Sequence, residues 1–167
     1  MVTPDGVTAA VETVIRRWGR LDVVVANAGM STLGTFDTLD DAQWTRMREI
    51  NLDGLIRLAR ASMPSLRASR GNFLAISSVA GFGGDWNQAG YHATKGAVNA
   101  LIQSMTLDLG RHWVRLNAIA PAFTATRLTQ ARPSRSWSSA APPRRRHREE
   151  RVRPISRGSA DLAGSRR

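Results

Sequence analysis

Residues 23–26 read Val-Val-Val-Ala. Four apolar residues in a row, three of them β-branched, cannot alternate between a core and water. Such a run is a strand buried on both faces, the kind that parallel sheets use. Two further short apolar segments follow. "GNFLAISS" predicts a strand over residues 72–77, and "VRLNAIAP" predicts one over residues 114–120 that Pro121 stops. The segments between and before them have a helical period. In "VTAAVETVIRRW", Val7, Ala10, Val11, Val14, Ile15 and Trp18 form one face, and Gly19 ends the helix. A second helix is expected over residues 41–68, capped by Thr38 or Asp40, with Trp44, Met47, Ile50, Leu52, Leu55, Ile56 and Leu58 inward. A third is expected over residues 89–110, with Val98, Leu101, Ile102, Met105 and Leu109 inward. Helix and strand alternating three times predict a doubly wound parallel sheet of the α/β class, with helices on both faces in three layers.

This pattern covers residues 1–128 and then stops. Residues 129–167 are mostly Arg, Ser, Ala, Pro and Gly and have neither a 3.6 nor a 2.0 period. The net charge of +11 divides the same way. Residues 1–128 carry 13 basic and 10 acidic side chains, whereas residues 129–167 carry 11 and 3. The first part is therefore read as the folded catalytic domain and the second as a basic, disordered tail. A charge excess confined to a tail without interleaved aromatics argues against nucleic acid as a partner, since Trp137 alone makes no stacking platform. The chain has no cysteine, which excludes a disulfide framework and a thiolate metal site. No apolar run approaches the roughly 20 residues needed to span a bilayer. The expectation is a soluble, cytoplasmic protein without a membrane partner.

"YHATK" holds the only tyrosine, Tyr91, and the only lysine, Lys95, in a chain whose other basic residues are all arginine. On a helix, residues four apart share a face. A free phenol ionises near pH 10, with a pKa of about 10. A nearby cation favours the phenolate, which turns a phenol into a general acid or base at lower pH. Arginine would bring a planar fork rather than a compact ammonium. A surface ion-dipole pair is the structural alternative. Ser78 lies thirteen residues before Tyr91, at the C-terminal end of a predicted strand, and "ANAG" at residues 26–29 ends another. Ligands of open parallel sheets bind at those ends.

With these residues in place, the chain resembles the short-chain dehydrogenase/reductase family over residues 5–128. The landmarks are "ANAG", with Ala26 where the family has a first Asn; "INLDG" with Asn51; "ISSVAG" with Ser78; "YHATK"; and "NAIAPAFTAT", with Ala122 in place of Gly. The resemblance implies NAD(P)-dependent hydride transfer between a small-molecule alcohol and a carbonyl. It implies that Tyr91 exchanges the proton, that Lys95 tunes the phenol and holds the nicotinamide ribose, and that Ser78 binds the substrate oxygen. Asn51 would hold a water in a proton relay. Asn27, Ala28, Gly29, Pro121 and Thr126, with Tyr91 and Lys95, would contact NAD or NADP. Bland alternatives stand beside these roles: Asn51 as a helix cap or kink, Ser77 instead of Ser78, and Thr126 as an ordinary loop residue. His92 reads as a solvated helix residue, and Asp85 and Trp86 as loop residues near the pocket. The resemblance implies homo-oligomers for full-length members of the family.

The family also begins with a strand and a G-x-x-x-G-x-G turn whose backbone N–H groups bind the pyrophosphate. That motif is not among these 167 residues. Two strand–helix units, on the order of 60 residues, are expected to be missing before Met1. Residues 23–26 would then form an exposed apolar edge. The tail, which matches neither the family's lid nor its last strand, reads as a GC-rich gene translated in a shifted frame. Loss of the pyrophosphate donors sets an expected outcome: this chain binds NAD(H) and NADP(H) more weakly than about millimolar. Calorimetry measures it, and micromolar binding would contradict the expectation.

Overall fold

A computed structural model describes residues 3–130, so the expected tail lies outside the described residues except for its first two. The chain opens with helix α1, Pro4–Trp18. It starts three residues before the apolar face because Thr3 caps it, accepting from Gly6 N–H, and Pro4 sits where an N–H is not needed. Strand β1, Val23–Ala26, follows. Helix α2, Asp41–Arg48, is capped by Asp40, whose carboxylate accepts from Gln43 N–H. It continues through a π-helical turn, Glu49–Asp53, into α3, Gly54–Ser69. Strand β2 is Asn72–Ile76, helix α4 is Ala89–Gly110, strand β3 is Arg115–Ile119, and a short α5 is Arg127–Gln130.

The three strands are parallel in the order β1-β2-β3. Val24 pairs with Phe73, which pairs with Leu116, and Ala26 pairs with Ala75. These side chains face one way, into a core closed by Leu55, Ala59, Met63 and Leu66 of α3 and by Val98, Ile102 and Leu109 of α4. Helix α1 packs on α3 through Val7 and Val11. This is a Rossmann-type α/β arrangement, as the element order predicts.

Three details depart from the expectations. First, among the described residues the helices pack on one face of the sheet only. Val23 and Val25 point to the other face and are half exposed, as is Ile119. The strands therefore alternate in burial despite their unbroken apolar run. Second, the single helix expected over residues 41–68 is interrupted by the π turn. A π turn takes in one extra residue and shifts the inward face. Met47, Asn51, Leu55, Ala59, Met63 and Leu66 are buried, while Trp44, Ile50, Leu52, Ile56 and Leu58 are only partly so. Third, Trp18 is not a core residue: it sits at the end of α1 under the Arg17 guanidinium, 4.8 Å from the ring centre. No helix among the described residues is long and apolar enough to cross a membrane.

Phe73 is fully buried at the middle of the central strand, between both helices of the core. Phe73→Ala removes the largest fully buried side chain among the described residues and leaves a cavity, so urea unfolding should show a loss of about 3–5 kcal/mol. A loss below about 1 kcal/mol would mean that the sheet face is not the core.

Candidate active site

Parallel register brings the C-terminal ends of all three strands to one side of the sheet. Ala26, Ile76 and Ile119 end there, and residues 27–29, Ser77, Ser78 and Pro121 continue from them. The N-terminal half of α4 packs along the turn that follows β2.

Asn51 joins these pieces. It sits in the π turn and is nearly fully buried. Its Nδ2 donates to the Met30 carbonyl at 2.9 Å and to Thr94 Oγ1 at 3.0 Å, and its Oδ1 accepts from Met30 N–H at 2.8 Å. Thr94 Oγ1 in turn donates to the Tyr91 carbonyl at 2.9 Å. The side chain thus fastens the segment after β1 to the first turns of α4. It is not a helix cap, because its bonds go to another element and to α4.

Lys95 is the second fixed point. It is 5% exposed, and its Nζ donates to the Ile76 carbonyl at 2.7 Å. The ammonium lies 5.8 Å from the centre of the Tyr91 ring, so the two side chains do share a face. Burial pushes the Lys95 pKa below the ordinary lysine value. A Cβ on Gly29 would sit 3.8 Å from Lys95 Nζ and 3.6 Å from Asn51 Oδ1. The missing side chain therefore leaves space directly against the ammonium. An ammonium has three donors, and one is used by Ile76. Open space with spare donors suits a ribose hydroxyl, so the residues present fit a nicotinamide nucleotide.

Ser77 and Ser78 separate clearly. Ser77 is turned into the protein, its Oγ 2.5 Å from Asn99 Oδ1. Ser78 Oγ accepts from Ala80 N–H at 3.1 Å, capping the 3₁₀ turn Val79–Phe82. That use of a lone pair leaves the Ser78 hydroxyl proton able to donate. Pro121 is tied to the same turn, its carbonyl accepting from Val79 N–H at 3.1 Å. Asn27 and Ala28 are exposed just beyond β1, with Asn27 N–H turned back to the Val25 carbonyl. Thr126 is exposed before α5, and its N–H donates to Thr129 Oγ1. No described contact joins Thr126 to Tyr91 or Lys95.

His92 is not simply solvated. Its Nδ1 is 2.6 Å from the Gly83 carbonyl, so that nitrogen carries the proton, while Nε2 is buried without a partner among the described residues. The Asp85 carboxylate accepts from Trp86 N–H and Gln88 Nε2, which holds its own loop together, and Trp86 is exposed. The motif reading missed Thr94 and Asn99. Both lie on the inward face of α4, three and eight residues after Tyr91, and helical facing alone would have found them.

The family model for short chain dehydrogenase matches residues 1–137. The chain is 38% identical over 122 residues to trans-4-hydroxycyclohexanecarboxylate dehydrogenase of Sinomonas cyclohexanicum, covering 73% of this chain and 47% of that protein. It is 41% identical over 125 residues to L-fucose dehydrogenase of Bos taurus, covering 74% and 46%. A crystal structure of gluconate 5-dehydrogenase from Burkholderia cenocepacia J2315 in complex with NADP and tartrate superposes with a TM-score of 0.74 at 31% identity, covering 78% of this chain and 51% of that one. This chain belongs to the short-chain dehydrogenase family. It spans about half the length of the curated relatives it matches.

The buried lysine has a measurable consequence. Its pKa is lowered on folding, so the unfolded chain binds more protons between the folded value and the ordinary one of about 10.4. Stability should therefore rise as pH climbs through that window. Lys95→Met removes the titration, so its stability relative to the parent should be greatest at neutral pH and shrink toward pH 10. Urea unfolding of both chains from pH 7 to pH 10 measures the difference, and a pH-independent difference would argue against a buried ammonium.

Proposed function

We propose that this chain carries the proton-transfer site of an NAD(P)-dependent oxidoreductase that interconverts a small-molecule alcohol and its carbonyl. The observation that carries the reading is the buried Lys95 ammonium, bonded to Ile76 at the end of the sheet and lying over the face of the only tyrosine. A surface Tyr–Lys pair would not bury its cation. Family membership and the NADP complex of a structural relative support the cofactor class.

Tyr91 gives its phenolic proton to the carbonyl oxygen in reduction and takes it back in oxidation. Lys95 places a positive charge beside the ring, which is what a phenolate needs. Ser78 donates its hydroxyl proton to the same substrate oxygen and steadies the charge that grows there. Asn51 keeps the segment after β1 in register with Tyr91 and Lys95. Hydride is what a bound nicotinamide supplies or accepts. Asn27, Ala28, Gly29, Pro121 and Thr126, with the spare donors of Lys95, are the residues that would hold it. The relatives act on ring, sugar and acyclic alcohols by name, so the proposal stops at the secondary alcohol and ketone as a class.

A second reading, a chain that folds but does not turn over, is favoured by the half-exposed outer face of the sheet. Steady-state kinetics at several millimolar cofactor, on a panel of ketones and secondary alcohols, separates the two. The parent should show turnover, and Tyr91→Phe should lower kcat/KM by at least about 100-fold with the fold intact. Lys95→Arg should also lose most activity, because the fork cannot reproduce the ammonium's position. Parent-like kcat/KM in either variant would remove that residue from the mechanism. A parent without turnover on the whole panel would favour the silent reading.

A further inference from the structure

We infer that Ser77 and Asn99 form a buried latch that positions Lys95. Lys95 is held at both ends by the end of β2. Its ammonium donates to the Ile76 carbonyl, and its own backbone carbonyl lies 3.4 Å from Ser77 Oγ, the long arm of a proton shared with Asn99. The same Ser77 hydroxyl lies 2.5 Å from Asn99 Oδ1, one helical turn beyond Lys95. Ser77 is 3% exposed and Asn99 is 8% exposed, so water does not compete for these bonds. Successive residues 76 and 77 therefore grip α4 at Lys95 and at Asn99.

The turn that carries Ser78 closes over the same spot. A Cβ on Gly81 would lie 2.7 Å from the Lys95 carbonyl oxygen and would overlap Asn99 Nδ2. Only a residue without a side chain lets this turn lie flat on α4, with Ser78 at its start. The latch thus fixes the lysine and the serine turn in a single packing arrangement.

The pair is not an economical way to fill space. Asn99 Nδ2 is buried with no partner among the described residues. Two apolar side chains of the same shape would avoid that penalty. What an apolar pair would lose is direction, because a hydrogen bond weakens steeply off its preferred angle and dispersion contacts have no such angular dependence.

Removing the latch should let the strand end and α4 part and admit water to the ammonium. Burial is what lowers the Lys95 pKa, so hydration returns it upward. The other ionisable groups on elements packed against α4 are few. Tyr91, His92 and Asp108 are on α4 itself, Glu49 and Asp53 are on the π turn, Asp41, Arg46 and Arg48 are on α2, and Arg115 is on β3. Asp53 pairs with Arg48, and Arg115 donates to the Arg70 carbonyl. Neither bond involves Ser77 or Asn99.

The test uses the single lysine as its own reporter. With lysine labelled at Cε, NMR titration of the whole chain follows one amine without assignment. Ser77→Ala and Asn99→Ala should each raise the Lys95 midpoint by about half a pH unit or more. The double variant should rise no further than the larger single change, because both remove one link. Gln103→Ala, an exposed position on the same helix, should leave the midpoint unchanged. Midpoints within about 0.1 of the parent in folded variants would overturn the latch, as would additive shifts. Loss of folding in both single variants would assign the pair to stability alone and overturn it too. The catalytic importance of the latch rests on the function proposed above, but the titration does not. A chain without turnover would refute that function and still leave the latch decided by the midpoints.

Discussion

Asn51 makes three hydrogen bonds from a nearly fully buried amide, and the geometry of the site depends on them. A primary amide presents a donor and an acceptor side by side, so it can bond both backbone groups of one residue, here Met30. Its second N–H remains for Thr94 on α4. No other side chain type of this size can satisfy that triple demand. The π turn is the local adjustment that lets the amide point inward while the helices on either side keep their apolar residues against the sheet. An Asn51→Leu change would take the partner from both partly buried backbone groups of Met30, each at a cost of up to about 1–3 kcal/mol, while Thr94 would keep its bond to the Tyr91 carbonyl.

The lysine poses the opposite problem. An ammonium in the interior loses hydration, and its strongest described partner is a neutral carbonyl rather than a carboxylate. That arrangement keeps the charge unneutralised, as the role proposed for Lys95 requires. A carboxylate partner would satisfy the ammonium better and cancel its charge. The fold accepts an incompletely solvated cation where chemistry would use one.

Much of this was legible in the residues. β1 and α4 fall at the expected positions, because Gly19, Asn27 and the glycine-rich loop before Ala89 punctuate them sharply. Tyr91 and Lys95 share a face because helical geometry requires it. What the pattern could not show was tertiary. The choice of Asn51 over its apolar neighbours as the inward residue depends on a backbone partner 21 positions away. The link from Ser77 to Asn99 spans 22 residues and has no local period. The unbroken apolar run of β1 implied cover on both faces, but burial depends on what packs against a strand, and among the described residues only one face has a helix layer. Thr126 was placed by motif spacing alone, and the structure gives it only local contacts.

Helix α1 leans on the remainder chiefly through Val7 and Val11, both seated on α3. Two buried valines are worth about 3–5 kcal/mol of transfer free energy, before the entropy of fixing fifteen residues is set against it. So few buried contacts are expected to give the segment a low opening free energy, so that it opens more often than the whole domain unfolds. Its amide protons are expected to exchange ahead of those of α4, and opening would uncover the side of α3 that it covers, away from Asn51, Tyr91 and Lys95. Detachment of this helix would thus leave the hydrogen bonds of the candidate site in place.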